Sequence, residues 1–240
     1  MLTFESLLTI ERFAHKSLWP KGEPVWSALR YLKDYLNKNN PQRIEIDIPE
    51  GVFLKNQETI SIGTGTIIEP GVMIQGPCII GKNCFIAHSA YLRGNIITGD
   101  HCHIGHATEL KGSILLDYAA ATHFVYLGDS ILGNHVNLGA GIKCANLRLD
   151  REEVTVFFEG RKMKTGLSKF SCVVGDHVQI GCNSVINPGT IIGRESFSYP
   201  MMNISGVVQP QSRITPEGVL PVKQRIIEKL LCNLNPPEKD

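Results

Sequence analysis

Every sixth residue from position 62 to position 122 reads Ile62, Ile68, Ile74, Ile80, Ile86, Leu92, Thr98, Ile104, Leu110, Leu116 and Thr122. A six-residue period is neither the 3.6 of a helix nor the strict alternation of an isolated strand, and it repeats too often for a single supersecondary unit. It predicts a solenoid in which each hexad is one short strand and a corner, with three hexads to a triangular coil. The position two before each aliphatic is small or β-branched, as at Thr66, Val72, Cys78, Cys84, Ala90, Cys102 and Thr108. Both positions then point inward, and the glycines that often follow the aliphatic, such as Gly63, Gly81, Gly99 and Gly105, serve the corners. The fold class read from this pattern is an all-β solenoid, a parallel β-helix of hexapeptide repeats flanked by N-terminal and C-terminal helices.

The repeat also marks where it fails. Tyr126, Leu132, Leu138 and Cys144 keep the spacing, but Tyr126 follows Thr122 by four residues, so a slip is expected near His123 and Gly128. Residues 145–172 carry no hexad. Their EVTVFFEG alternation and basic RKMKTG predict an extruded hairpin-like loop, of a length that is usually functional. The period returns at Val174, Ile180, Ile186 and Ile192, then fades, so the last coil is expected to break down at Tyr199-Pro200.

Outside the repeat, residues 1 to about 40 read as helical, with Trp26, Leu29, Leu32, Tyr35 and Leu36 at helical spacing behind Pro24. The IEIDI run at 44–48 predicts a lead-in strand, and residues 216–231 a terminal helix with Val219, Val222, Ile226 and Leu230 on one face. The expected division is residues 1–58 as a helical segment with its strand, 59–204 as the β-helix, and 205–240 as a C-terminal segment.

A net charge of +1 without a block of like charge argues against a nucleic-acid partner. No run approaches the ~20 apolar residues of a membrane span, and the N-terminus interrupts its apolar residues with Glu5, Glu11 and Arg12 instead of forming a signal peptide. With seven cysteines and no leader, reduced thiols in a cytoplasmic protein are the expectation. Cys78, Cys84, Cys102 and Cys172 occupy the small inward slot and read as core fillers.

The candidate chemistry gathers in and around residues 122–147, THFVYLGDSILGNHVNLGAGIKCANL. With Arg93 in YLRG and Lys111 in ELKGSILLD, this stretch resembles the acetyltransferase domain of the bifunctional bacterial glucosamine-1-phosphate acetyltransferase/N-acetylglucosamine-1-phosphate uridylyltransferase. The segment ANLRLDREEVTVFFEGRKMKTGLSKF is similar to the archaeal-type sugar-1-phosphate nucleotidylyltransferases that carry an amino-sugar acetyltransferase tail. The resemblance covers roughly residues 60–195. It implies a left-handed β-helix, a homotrimer with sites in grooves between neighbouring chains, and acetyl-CoA-dependent N-acetylation of an amino-sugar 1-phosphate, glucosamine 1-phosphate first among them, for UDP-N-acetylglucosamine synthesis.

By motif position the resemblance makes His123 the general base, a role that suits an imidazole, and sets Asn146 beside the reacting amine. Arg93, Lys111 and Lys169 match phosphate-binding cations, Lys169 from a neighbouring chain, while Tyr126 and Asn137 match sugar contacts. Ala140 and Cys182 match acetyl-CoA positions. Leu147 stands where the bacterial enzymes have an aromatic residue and the archaeal-type tails have leucine. No nucleotidylyltransferase domain is legible, so the chain reads as such a tail standing alone, with a separate nucleotidylyltransferase as a further expected partner. Two other readings are carried. One is a non-catalytic trimeric scaffold that binds sugar phosphate or recruits that partner. The other is zinc in a hexapeptide-fold carbonic anhydrase arrangement around His101, His103 and His106, where Lys111 stands in place of a needed ligand, so that no metal is expected.

Overall fold

A computed structural model describes residues 2–222. The chain winds as a left-handed parallel β-helix with three sheets as its faces. The first face runs through eight strands from Phe53–Lys55 to Asn203–Ile204, and the second through eight from Ile60–Ile62 to Val207–Val208. The third runs from Ile67–Ile68 to Ser212–Thr215 and gains an antiparallel ninth strand, Gly218–Pro221. The core is the predicted stack of inward residues: Ile62, Ile80 and their equivalents on one face, Ile74, Leu92 and Leu110 on another, and Ile68, Ile86 and Ile104 on the third are buried in one cluster. Cys78, Cys84, Cys102 and Cys172 fill small slots within it. Burial pushes the Cys78 thiol up to about 12, as expected of a thiol used for packing.

The slip is met at Gly128, as expected, but not at His123; a second one lies a coil earlier, at Gly112. Early coils repeat every eighteen residues, Ile60 opposite Cys78 and Cys78 opposite Ile96. From Ile97 to Ile114 and from Ile114 to Ile131 the step is seventeen. One residue is dropped at each of two corners between the first and second faces, so Leu115 follows Leu110 into the core and Leu132 follows Leu127. Ser113 and Ser130 take the small slot there and satisfy their hydroxyls on nearby main-chain carbonyls, Lys111 O and Gly128 O. Leu116 and Thr122 are therefore not inward: Leu116 is buried in an outer cluster, and Ala121 takes the core position expected of Thr122. Tyr126 lies on the outside of the first face, with Leu127 inward.

The coils do not break down at Tyr199-Pro200. Phe197–Ser198 pairs with Arg213–Ile214, Asn203–Ile204 with Val185–Ile186, and Val207–Val208 with Ile191–Ile192. The hexad is hidden there because buried Ser198 occupies the large inward position and Ser196 and Ser212 the small one. Instead of a helix, residues following Thr215 turn back as the strand Gly218–Pro221; the rest of the expected terminal helix lies outside the described residues.

The N-terminal segment is helical only over Ser27–Asn39, with single turns at Phe4–Ser6 and Lys16–Leu18. Pro20, Gly22 and Pro24 punctuate the rest, which forms an irregular arm. The arm lies along the second face, whose outward residues Ile79, Ile97, Ile114, Leu116, Ile131, Val173 and Ile191 pack on Leu8, Leu18, Trp26 and Leu36. Each such side chain contributes about 1.5–3 kcal/mol when fully buried, which is why this face needs a cover. Asn40, at the end of the helix, donates to Thr59 O at 2.7 Å and to Cys78 O at 3.2 Å. The 44–48 run makes only a single bridge, Ile44 to Ile62, and Ile44, Ile46 and Ile48 rest on the open end of the core.

The insertion after Cys144 does contain a hairpin, Thr155–Phe158 with Arg161–Lys164, turned by Glu159 and Gly160 in the left-handed region. It is not extruded throughout. Val154, Val156 and Phe170 are buried in the outer cluster, and the Phe170 ring lies 6.2 Å from that of Trp26.

Candidate active site

The outward residues of the first face form a ladder, Tyr91 beside Glu109, Glu109 beside Tyr126, and Tyr126 beside Lys143. Arg93 and Lys111 each follow an inward leucine, which sets them at the edge where the first face turns toward the second. Neither cation is alone. Arg93 Nη1 donates to Glu109 Oε1 at 2.5 Å, and its guanidinium lies 5.8 Å from the Tyr91 ring. The Glu109 carboxylate raises the Arg93 pKa above its ordinary value. Lys111 Nζ donates to Asp129 Oδ2 at 2.7 Å, with the two side chains only 22% and 19% exposed.

Asn146 stands on the same edge, two residues past inward Cys144, and its Nδ2 also donates to Asp129 Oδ2. Between Asn146 and Tyr126 lies Gly128, over whose bare backbone both side chains lean. Lys169 is exposed; its neighbour Phe170 donates its backbone N–H to Asn146 O at 2.9 Å, so Lys169 is tethered one residue from this corner.

His123 ends the third-face strand Ala120–His123, at the corner where that face turns into the first. Its Cα pairs with that of His106 on the preceding coil. Gly141 N donates to His123 O, and Asn183 N to Ala140 O, so Ala140 and then Cys182 continue the column begun by His88, His106 and His123. The His106 ring is already engaged: Nδ1 donates to His88 O at 2.9 Å, the two rings stack at 5.7 Å, and Phe124 covers the other side at 5.3 Å. His123 has neither a ring stack nor a side-chain hydrogen bond among the described residues, and it is exposed. Burial lowers the His103 pKa, and the neighbouring His123 pushes it the same way.

Arg93, Lys111, Tyr126 and Asn146 are thus brought together on one face with His123 across it. Asn137 is not on that face; it lies on the third, in the ladder of Ala120 and Gln179. Cys182 is the exposed cysteine of the described residues. Sequence reasoning missed Glu109 and Asp129, whose roles depend on partners sixteen to eighteen residues away on the next coil. Arg93 and Lys111 are stacked coil on coil, and the acid beside each shows only when that register is applied to the sequence.

The three histidines of the zinc reading diverge. His101 stacks on Tyr118 at 4.7 Å at another corner, His103 packs on Phe85 at 5.0 Å, and His106 on His88. Among the described residues, no group of three or more His, Cys, Asp or Glu side chains is placed to hold a metal ion. A cavity of about 690 Å³ lies away from the first face, between Thr9–Phe13 of the arm and the corner of His101, Tyr118, His135 and His177. No helix among the described residues is long and apolar enough to cross a membrane.

The profile of the family described as "GMPPB C-terminal domain" matches residues 74–203. A "Bifunctional sugar-1-phosphate nucleotidylyltransferase/acetyltransferase" of Sulfurisphaera tokodaii is 38% identical over 86 residues, 36% of this chain and 21% of that relative. The chain therefore spans about a fifth of the length of that relative. An "Uncharacterized acetyltransferase YaiX" of Escherichia coli O6:K15:H31 is 30% identical over 212 residues, 87% of this chain and 89% of its own. Among solved structures, a UDP-N-acetylglucosamine acyltransferase of Francisella novicida aligns with a TM-score of 0.54 at 15% identity, over 78% of this chain and 72% of that one, a likeness of fold alone.

Proposed function

Because the chain belongs to the family of the GMPPB C-terminal domain, we propose that it is an acyltransferase that moves an acetyl group from acetyl-CoA to the amine of an amino-sugar 1-phosphate, glucosamine 1-phosphate in the first instance. The observation that carries this reading is the first face with Arg93, Lys111 and Asn146 at the edge toward the second face, Tyr126 within it, and His123 at the end of the third-face strand that leads into its other edge. The acetyltransferase relative that is covered along nearly its whole length supports the reaction class.

Arg93 and Lys111 receive the sugar phosphate. A guanidinium has five N–H donors and an ammonium three, so each keeps some beyond the one given to Glu109 or Asp129. Tyr126 flanks the sugar on the first face, while Asn137, on the third face, reaches a sugar held by a neighbouring copy, as Lys169 does when it adds a third cation. His123 takes a proton from the amine as its nitrogen attacks the thioester carbonyl carbon. The C–N bond forms, the C–S bond breaks, and the departing sulfur recovers the proton from the imidazole. Ala140 and Cys182, small side chains on the column beyond His123, leave room for the donor beside the base.

The assembly that suits this site is a homotrimer. The second face is covered by the arm, so the first and third, which expose Phe53, Ile67, Tyr91 and Phe124, are the ones left to meet other copies. A relation to a separate nucleotidylyltransferase is suggested by the bifunctional relative. Thiol release from acetyl-CoA with a panel of amino-sugar phosphates tests the reading. Release with glucosamine 1-phosphate is expected. No release with any member of the panel would leave the non-catalytic scaffold as the better account.

A further inference from the structure

Asp129 sits at the corner where the first face ends, with its backbone in the left-handed region at φ 49°. Both of its main-chain groups are tied. Its N–H donates to Lys111 O at 2.9 Å, and its carbonyl accepts from Ser171 N at 3.0 Å, where the insertion rejoins the coils. Its carboxylate Oδ2 takes two donors, Lys111 Nζ and Asn146 Nδ2. Its Oδ1 lies over Gly112, where a β-carbon would come within 2.6 Å and the backbone φ is +56°. Only glycine leaves space for the carboxylate in that orientation.

An ionised carboxylate can only accept hydrogen bonds. The end of the Asn146 amide that meets Asp129 is therefore its NH₂, and its carbonyl Oδ1 is turned the other way, where it accepts no hydrogen bond from the described residues. We propose that Asp129 is a positioning residue for the acyl transfer proposed above: it aims the Asn146 carbonyl at the substrate amine and links that aim to Lys111. An outward carbonyl accepts one N–H of the attacking amine and leaves another for His123, so the nitrogen lone pair is directed at the thioester. An outward NH₂ would do the opposite and compete for the lone pair. Because one carboxylate oxygen holds both Asn146 and Lys111, the group that orients the amine and a group that binds the phosphate keep a fixed relation.

This inference rests on the function proposed above, and the experiment separates the two. Kinetics with glucosamine 1-phosphate and acetyl-CoA are compared for the unmodified protein, Asp129→Ala, Asn146→Ala and the double variant. Asp129→Ala is expected to lower kcat about 10- to 100-fold with an unchanged KM for acetyl-CoA. In the Asn146→Ala background it should lower kcat no further, because its effect passes through Asn146. Losses that multiply in the double variant would overturn the proposal. Asp129→Asn, which keeps an acceptor of the same shape, should retain part of kcat; a loss equal to that of Asp129→Ala would count against it.

The side-chain amide of Asn146, observed by nuclear magnetic resonance without any substrate, gives a reading independent of turnover. Its protons should exchange slowly in the unmodified protein and shift in Asp129→Ala, and an amide indifferent to that change overturns the proposal even in an active enzyme. Inactivity of the unmodified protein toward every amino-sugar phosphate, with the amide still responding to Asp129, would instead overturn the function itself and with it this role.

Discussion

A β-carbon placed on Gly128 would lie 2.7 Å from the amide nitrogen of Asn146, and the same point is 2.8 Å from the hydroxyl of Tyr126. Neither distance admits a side chain. Gly128→Ala should therefore push both groups out of position while leaving Leu127 in the core. Since a displacement of about 1 Å can cost ~10²-fold, turnover is expected to fall by that order. Circular dichroism and the melting temperature should change little; a fully active Gly128→Ala would remove Tyr126 and Asn146 from the site.

His123 is exposed and its backbone is held by the ladder, so removing its imidazole leaves the coil intact. His123→Ala should lose about 10²–10⁴-fold in kcat, the usual contribution of a general base, with sugar-phosphate binding by calorimetry unchanged. Acetylation at the normal rate would mean that the base is elsewhere.

Arg93 and Lys111 both face a carboxylate, and what they offer a phosphate depends on charge. Glucosamine 1-phosphate should bind more tightly than glucosamine, and the difference should shrink as salt is raised toward 1 M, where the screening length is ~3 Å. Arg93→Ala should reduce the preference and leave Glu109 without its partner. Equal affinities for the two ligands in the unmodified protein would exclude a phosphate site.

Burial lowers the pKa of His15, which contacts the Tyr35 hydroxyl at 3.0 Å, and that of His135. As pH falls through the ordinary histidine value of ~6.5, the unfolded chain takes up protons that these native imidazoles resist. The stability present above that value is then lost toward the lower folded-state values. Melting temperature should fall between pH 7 and 5.5, by about 2–4 °C for each kcal/mol in a chain of this size. His15→Gln should flatten the slope, and a flat profile in the unmodified protein would show that the arm does not shield His15 from solvent.

Among the described cysteines, Cys182 is exposed and the other five are buried. A thiol reagent applied to the native protein should modify Cys182 rapidly, and the five buried thiols only on unfolding. If Cys182 borders the acyl donor, a bulky adduct there should raise the KM for acetyl-CoA and leave sugar-phosphate binding alone. An adduct without effect on either would move the donor away from this column.

The repeat made the solenoid legible because Ile62 to Leu110 keep one period without interruption. It misjudged the phase after Leu110 because dropping a single residue at a corner leaves an aliphatic at both Leu115 and Leu116, and only packing decides which is inside. The end of the solenoid was hidden by Ser198, a small polar residue in a large inward slot, and the arm by its leucines and tryptophans, whose density resembles a helix although prolines interrupt it. At the site, the cations and the histidine could be matched by motif. Glu109 and Asp129 could not, since the partner of each is made by coil stacking and not by neighbours in sequence.

The arm bears on more than burial. Thr9 N donates to Asp176 Oδ2 at 2.8 Å, and the Asn134 amide donates to Thr9 O, while Asn40 at the other end of the same segment holds the coil of Thr59 and Cys78. In a bare solenoid each coil depends only on its two neighbours, and unwinding can begin at either end and travel. A brace fastened near both ends makes distant coils answer to one another. Loosening of the terminal coils is then opposed by contacts made many coils away, and the coils that carry His123 and Asn146 are kept in register by a segment fastened on either side of them.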